Sequence, residues 1–202
     1  MLLQADECQL VLVDYQQRLM PHIHDAAGVL ANALRLARIA SLLEVPLWAT
    51  EQSPAGLGGT VEALQPLVAG RVVAKTTFDG AQVLLPRLRP PARPQQGGNA
   101  RSLPKHLQKP AAQPQAERET LVLAGCEAHV CLMQTALGLL QEELDVWVVT
   151  DACSSRSERN RDAAFDRLAG AGAELVTTEM VAFEWLRDAE HPRFREVLAL
   201  VK

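Results

Sequence analysis

The stretch LVLAGCEAHVCLMQTALGLL, residues 121–140, decides the fold class of this chain. It opens with an apolar run of strand length, continues through glycine and polar residues, and ends with apolar residues at helical spacing. The opening run does not alternate with polar residues, which is typical of a strand buried on both faces of a parallel sheet. The segment therefore predicts a strand, a turn and a helix, which is the repeating unit of an α/β domain.

The same unit recurs along the chain. Five further apolar runs have strand length, the last of them weaker: residues 9–13, 45–50, 71–74, 145–150 and 173–177. Helical periodicity occupies much of the sequence between them, at residues 28–43, 159–169 and 193–201. Strands alternating with helices over a whole chain favour a doubly wound, three-layer α/β/α fold around a six-stranded parallel sheet.

Length and composition indicate one domain that spans residues 1–202. The chain has 202 residues, 48% of them hydrophobic, which suffices for a full core. Its formal net charge of −4 does not favour nucleic-acid binding. No apolar run approaches the roughly 18–20 residues of a membrane span, and residues 1–17 do not resemble a signal peptide. The few cysteines do not form a dense disulfide framework, so we expect a reducing, cytoplasmic setting.

One stretch, at about residues 86–118, departs from the strand and helix pattern. It contains most of the prolines, together with Gly97 and Gly98, and shows almost no apolar periodicity. Several arginines and lysines make it locally basic. We interpret it as an extended, mobile surface insertion. The alternative is a docking segment for an acidic partner.

Polar residues directly follow several of the predicted strands, at Asp14, Glu51, Lys75 and Asp151. Ligands of open parallel sheets bind just beyond the carboxyl ends of the strands. Cys131 lies near the start of the following helix, where the helix dipole and free N–H groups are expected to lower the pKa of a thiol. Asp14 would accept the thiol proton and Lys75 would hold Asp14. The alternative is a structural ion pair beside a buried, inert cysteine.

These motifs resemble those of the isochorismatase-like hydrolases, a family that includes nicotinamidases and N-carbamoylsarcosine amidohydrolase-like enzymes. The chain reads LVLVDYQ around Asp14, VVAKTTF around Lys75 and LAGCEAHVC up to Cys131, in the order of the family's triad. The segments TEQSPAGLG and VVTDACSSRS are similar to family segments as well, and the branch of isochorismatase domain-containing hydrolases is the most similar. The resemblance implies a sheet of order 3-2-1-4-5-6. It also implies that Cys131 is the nucleophile, Asp14 the general base and acid, and Lys75 their electrostatic partner.

The resemblance further implies the chemistry around this triad. A cis peptide bond between Cys126 and Glu127 would direct the N–H of Glu127, with that of Cys131, into an oxyanion hole. The substrate would be a small amide-like compound whose C–N bond is cleaved through a thioester. Four residues are candidates for binding this substrate, with Trp48 a weaker fifth: Tyr15, Gln52, Phe78 and His129.

Departures from the family pattern narrow the expected reaction. Nicotinamidases carry a metal-binding Asp-x-His cluster after strand 2, whereas this chain reads EQSP at residues 51–54. We therefore expect no metal and no other cofactor. True isochorismatases lack the nucleophilic cysteine, so Cys131 argues against cleavage of a vinyl ether. Asp79 follows Phe78 where the family commonly has serine.

Two groups of potential metal ligands have simpler interpretations. Cys126, His129 and Cys131 form a C-x-x-H-x-C cluster, but a zinc site usually draws on two separated ligand pairs. His22 and His24 form an H-x-H pair, which we interpret as solvated loop histidines.

Two other functions remain open. The chain could be a non-catalytic binding or assembly member of the same fold, or a thiol redox protein in which Cys131 pairs with Cys126 or Cys153. The family resemblance implies a homo-oligomer, dimeric or larger, and the helix around residues 194–201 is one candidate interface. The expected partner is a small-molecule substrate, with no nucleic acid and no membrane.

Overall fold

A computed structural model describes residues 2–90 and 118–202 and contains one six-stranded sheet of order β3-β2-β1-β4-β5-β6. All neighbouring strands are parallel. The strands are β1 (Cys8–Val13), β2 (Leu47–Gln52), β3 (Val72–Lys75), β4 (Thr120–Gly125), β5 (Asp145–Val149) and β6 (Glu174–Val176). The α/β class and the strand order expected from the sequence are confirmed.

Helices flank this sheet in two groups. The α-helices are α1 (Ala26–Leu42), α2 (Pro54–Leu57), α3 (Gln65–Val68), α4 (Ala81–Leu88), α5 (Met133–Gln141), α6 (Glu158–Gly170), α7 (Thr178–Leu186) and α8 (Phe194–Val201). Helices α1, α7 and α8 pack together, and α5 packs on both α4 and α6. Two separate helical groups around one parallel sheet give the expected doubly wound arrangement. No helix in the two described ranges combines the length and apolar character needed to cross a bilayer.

The central strands are buried along their whole length. All six residues of β1 and all six of β4 are buried, which explains their continuous apolar sequences. The last residue of β4, Gly125, pairs with Val13 of β1. A Cβ atom at Gly125 would lie 2.7 Å from the carbonyl oxygen of Val13, so only glycine allows this close approach. The close approach brings the turn after β4 beside the end of β1.

Several elements differ from the sequence-based boundaries. Strand β2 continues to Gln52, because pairing with β3 extends to the register Gln52↔Lys75. Helix α4 includes Pro86, which we had assigned to the insertion, and ends with the buried Leu88. The part of the predicted insertion at residues 91–117 lies outside the described residues. Helix α7 was not predicted, because most of its residues are apolar and show little helical periodicity.

Helix α8 packs its apolar side on the protein. Val197 is fully buried, and Phe194 and Leu200 pack against the core. The helix contacts α1 and α7. The apolar face that suggested an interface therefore contributes to the core of this chain.

Candidate active site

An aspartate and a lysine meet across the carboxyl end of the sheet. Asp14 directly follows β1, and Lys75 is the last residue of β3. Lys75 Nζ donates to Asp14 Oδ2 at 2.8 Å, and both side chains are completely buried. A buried charge is tolerated only with a well-placed partner. The sequence-based pairing of these two residues therefore agrees with their geometry.

Oxygen atoms of the protein complete the coordination of the Lys75 ammonium group. Lys75 Nζ donates to Gln52 Oε1 at 2.8 Å and to the carbonyl oxygens of Thr77 and Phe78, each at 3.3 Å. Gln52 Nε2 donates to the carbonyl oxygen of Thr76 at 2.7 Å. Both ends of the Gln52 amide are thus used within the protein. The structure gives Gln52, predicted to contact substrate, the role of holding Lys75.

Thr50 contacts the candidate site, and the sequence reasoning did not identify it. Its hydroxyl group donates to Asp14 Oδ1 at 2.7 Å, and Thr50 is 1% exposed. Thr50 and Gln52 lie two residues apart on β2, so their side chains point to the same face. The available signal was the run of three polar residues, 50–52, at the end of a strand that is otherwise apolar.

Cys131 joins the pair from the turn after β4. It lies in a π-helical turn, Ala128–Leu132, and is 4% exposed. Burial, the negative charge of Asp14 and a hydrogen bond to Asp14 raise the pKa of Cys131 to about 12, while the charge of Lys75 opposes this rise. The expectation that the helix N-terminus lowers this pKa is wrong, because burial and the carboxylate outweigh the helix dipole. The resting group is a protonated thiol beside a carboxylate.

The predicted cis peptide bond between Cys126 and Glu127 is wrong, because no cis bond occurs among the described residues. The chain turns instead through Glu127, whose φ of +53° lies in the left-handed region. Val130 N–H donates back to the Glu127 carbonyl oxygen at 2.8 Å, which closes the turn. The oxyanion role of the N–H groups of Glu127 and Cys131 remains a prediction.

The side chain of Glu127 anchors this turn to the segment before α6. Arg156 Nε lies 2.6 Å from Glu127 Oε1, and His129 Nδ1 lies 3.2 Å from Glu127 Oε2. His129 Nδ1 is also 2.9 Å from Ser155 Oγ. Residues two apart in a helical turn point to opposite sides, so His129 faces away from Cys131. The structure therefore places His129 in a supporting cluster rather than beside the thiol.

The predicted aromatic lining is only partly available. Tyr15 is 2% exposed, and its hydroxyl group donates to the carbonyl oxygen of Ala152. Trp48 Nε1 donates to Gln9 Oε1 at 3.3 Å, near the amino ends of β1 and β2 and away from the carboxyl ends where the triad lies. Phe78 is 53% exposed, and its carbonyl oxygen contacts Lys75. Phe78 is therefore the aromatic side chain placed to meet a ligand.

The other cysteines and histidines do not converge on a metal site. All four cysteines are free and buried. Within the described ranges, no three side chains of His, Cys, Asp or Glu are placed to share a metal ion. Cys126 Sγ lies 3.2 Å from Met20 Sδ, and His24 Nε2 lies 3.3 Å from Glu158 Oε1. Each of these groups thus has a neighbour that accounts for its position.

A cavity of about 540 Å³ lies on the surface of α7, away from the triad. Its lining includes the exposed side chains of Leu2, Met180 and Phe183. None of Asp14, Lys75 and Cys131 contributes to it. We place the candidate active site at Asp14, Lys75 and Cys131, because the cavity on α7 does not bring charged groups and a thiol together in this way.

Comparison with known proteins finds similar sequences and similar structures. The family model of the isochorismatase domain matches residues 8–180. Isochorismatase domain-containing protein 2A of Mus musculus is 35% identical over 193 residues, which cover 96% of this chain and 82% of the mouse protein.

Solved structures show the same fold. The MAR1 ribonuclease of Caenorhabditis elegans has a TM-score of 0.82 and 29% identity, and covers 100% of this chain and 92% of its own. The Escherichia coli YcaC protein, described as an octameric hydrolase of unknown specificity, has a TM-score of 0.75 and 24% identity, with 98% and 95% covered.

Proposed function

We propose, from the premise that this chain belongs to the isochorismatase family of hydrolases, that it cleaves a C–N bond of a small amide-like substrate through a thioester on Cys131. The observation that carries the proposal is the meeting of three groups from separate elements. Lys75 Nζ lies 2.8 Å from Asp14 Oδ2, and a hydrogen bond to Asp14 affects the Cys131 thiol. A carboxylate between an ammonium and a thiol is suited to moving one proton.

The proposed reaction begins with a protonated thiol. Asp14 takes the proton of Cys131 as the sulfur attacks the substrate carbonyl carbon, which forms a tetrahedral intermediate. The protonated Asp14 then gives this proton to the leaving nitrogen as the C–N bond breaks, and a thioester remains on Cys131. Asp14 then takes a proton from a water molecule as this water attacks the thioester, and it returns the proton to the departing sulfur, which restores the Cys131 thiol. Lys75 stabilises the carboxylate form of Asp14 at both ends of the cycle.

Backbone N–H groups are the proposed stabilisers of the oxyanion. The N–H groups of Glu127 and Cys131 flank the turn that carries the nucleophile, and two aligned donors of this kind stabilise a developing negative charge. The exposed ring of Phe78 is the proposed apolar contact for the substrate. No metal is required by this scheme, since the base, the nucleophile and the oxyanion donors all come from the chain.

A small substrate suits the burial of the nucleophile. Cys131 is 4% exposed, so the reacting carbonyl group must enter a narrow space. A polymer backbone would need an open groove beside the thiol. For this reason we favour a small metabolite over RNA, although one similar structure is described as a ribonuclease. RNA is accordingly included in the test below.

The test is a screen of small primary amides and ureido compounds for release of ammonia, with RNA cleavage measured in parallel. We expect turnover of at least one small amide by the parent protein and none by Cys131→Ala. Rapid acid quenching during turnover should give an acyl adduct on the Cys131 peptide by mass spectrometry. RNA cleavage that persists in Cys131→Ala, without any amide turnover, would refute the proposal.

The amide screen, combined with partner binding and mild oxidation, separates the other two functions. A binding or assembly member would turn over no amide and would keep its partner in Cys131→Ala. A thiol redox protein would form a reversible disulfide from Cys131 to Cys126 or Cys153 under mild oxidant. The four free cysteines are consistent with a reducing compartment, and we propose a cytoplasmic location.

We also propose that the protein forms a homo-oligomer. The similar YcaC protein of Escherichia coli is described as octameric. Light scattering coupled to size-exclusion chromatography should give a mass that is a multiple of the 22.0 kDa chain. A monomer at micromolar concentration would contradict this part of the proposal.

A further inference from the structure

Thr50 lies on the strand that separates the two charges of the site. Strand β2 lies between β1 and β3, and neighbouring strands of a sheet are roughly 4.8 Å apart. The side chains of Asp14 and Lys75 therefore meet across the end of β2. In the register of the sheet, Thr50 is opposite Val13, the residue before Asp14. The middle strand thus carries a side chain directly beside the carboxylate.

Thr50 holds Asp14 through its backbone and through its side chain. The N–H of Asp14 donates to the carbonyl oxygen of Thr50 at 3.2 Å, and Thr50 Oγ1 donates to Asp14 Oδ1 at 2.7 Å. Asp14 has a φ of +57°, which is uncommon for a residue other than glycine. An ionised carboxylate can only accept hydrogen bonds, so the hydroxyl group must be the donor.

The charged and titratable groups around Asp14 come from the neighbouring elements. Lys75, at the end of β3, occupies Oδ2. Cys126 lies before the π-helical turn and Cys131 lies in it. Burial raises the pKa values of both thiols, and the negative charges of Asp14 and Glu127 raise them further. The hydroxyl group of Thr50, which donates to Asp14 Oδ1, is thus neutral, whereas the other neighbours named here are charged or titratable.

Replacement by valine separates the hydroxyl group of Thr50 from the volume of its side chain. A valine at position 50 would fill the same volume as threonine without offering a donor. Thr50→Val therefore removes one hydrogen-bond donor from Asp14 while it keeps the shape of the side chain.

We propose that Thr50 is a positioning residue that keeps Asp14 ionised and directed at Cys131, and thereby sets the lower pH limit at which Asp14 can accept the thiol proton. A hydrogen bond donated to a carboxylate favours its charged form. Thr50 holds one carboxylate oxygen as Lys75 holds the other, which leaves Asp14 a single orientation. The catalytic meaning of this inference rests on the proposed hydrolase function.

The experiment is a carboxyl ¹³C NMR titration of protein labelled at the aspartate side chains. The Asp14 resonance is the one that disappears in Asp14→Asn. We expect its ionisation midpoint in Thr50→Val to lie roughly one to two pH units above that of the parent, as for loss of a hydrogen bond to a charged group. Thr50→Ser, which keeps the hydroxyl group, should restore the parent midpoint.

Thr60→Val is the matched control. Thr60 is also buried, and its hydroxyl group donates to a carboxylate outside the triad, Glu51 Oε1, at 2.7 Å. We expect Thr60→Val to leave the Asp14 midpoint unchanged. An Asp14 that stays ionised over the same pH range in Thr50→Val as in the parent, or one that shifts equally in Thr60→Val, overturns the proposal.

This titration needs no substrate, so it can succeed or fail independently of the amide screen. A shifted midpoint without any turnover would support the role of Thr50 and count against the proposed reaction. An unshifted midpoint in a protein that hydrolyses amides would support the proposed reaction and count against the role of Thr50. Near-ultraviolet circular dichroism of each variant confirms that the fold is intact.

Discussion

Replacing Asp14 by asparagine should make Cys131 more reactive toward alkylation while abolishing hydrolysis. The pKa of Cys131 is raised from 9.0 to about 12, and Asp14 contributes to this rise through its charge and through a hydrogen bond. The thiol must be deprotonated to react. Removing a nearby negative charge stabilises the thiolate, so the pKa of Cys131 should fall in Asp14→Asn. Hydrolysis should nevertheless be lost, because no base and acid remains for the substrate.

The size of the effect follows from the Coulomb interaction. Two unit charges about 4 Å apart interact by about 4 kcal/mol at an effective dielectric constant of 20. One pKa unit corresponds to about 1.36 kcal/mol, so the fall is at most about three units. Well below the pKa, each unit of fall increases the thiolate fraction about tenfold. A fall of one to three units would make alkylation of Cys131 at pH 9 roughly tenfold to several hundredfold faster, and this is the range that we expect.

The assay is the rate of carbamidomethylation of the Cys131 peptide by iodoacetamide, followed by mass spectrometry from pH 7 to 11. Lys75→Met should move the rate in the opposite direction, since the charge of Lys75 lowers the pKa of this thiol. Asp151→Asn is the control, because Asp151 caps α7 and is not among the groups that affect Cys131. Unchanged or slower alkylation in Asp14→Asn would refute the reasoning.

Two further predictions concern stability, measured by urea unfolding. Gly125→Ala places a methyl group 2.6 Å from a side-chain atom of β1 and 2.7 Å from a carbonyl oxygen, so we expect the free energy of unfolding to fall by about 3 kcal/mol. In the control, Gly56→Ala, the methyl group meets nothing within 4 Å, and the fall should be less than about 0.5 kcal/mol. Lys75→Met leaves the buried Asp14 without a counter-charge and should cost about 3–5 kcal/mol. The double variant Asp14→Asn/Lys75→Met should lose clearly less than the sum of the two single variants, and strict additivity would contradict the pairing.

The sheet was predictable because the relevant pattern is continuous in sequence. Strands β1 and β4 are buried on both faces, and a short unbroken apolar run is the direct sequence expression of such burial. The boundaries were less predictable, since β2 continues through Glu51 and Gln52 by pairing with β3. The end of helix α4 was placed too early, because Pro86, which ordinarily ends a helix, lies inside it near its C-terminal end.

The members of the candidate site were predictable, but the partners of several were not. Asp14, Lys75 and Cys131 could be identified because each stands at or near a strand end, where the topology brings distant residues together. The roles of Thr50 and Gln52 depend on which side-chain atoms face the ammonium and the carboxylate. Spacing along one chain does not determine such contacts, because they arise from the register between three strands.

The direction in which the pKa of the Cys131 thiol is shifted could not be predicted from position alone. This direction changes the expected order of the proton-transfer and bond-forming steps. A helix N-terminus lowers the pKa of a thiol, but Cys131 is also buried and lies beside a carboxylate. In the proposed reaction, this proton is therefore retained until the substrate is in place. Its transfer to Asp14 would then accompany formation of the C–S bond and would leave Asp14 protonated when the leaving nitrogen requires a proton.

A retained proton also limits side reactions. A protonated, buried thiol reacts slowly with oxidants and alkylating agents, because these reactions need an exposed thiolate. A thiolate derived from a high-pKa thiol is, once formed, a stronger nucleophile than one derived from an acidic thiol. In the proposed reaction, the same charge on Asp14 that suppresses the resting thiolate also provides the base that generates it at the moment of attack. If that reaction is correct, Lys75 and Thr50, the neighbours of Asp14, control reactivity by setting how readily Asp14 accepts that one proton.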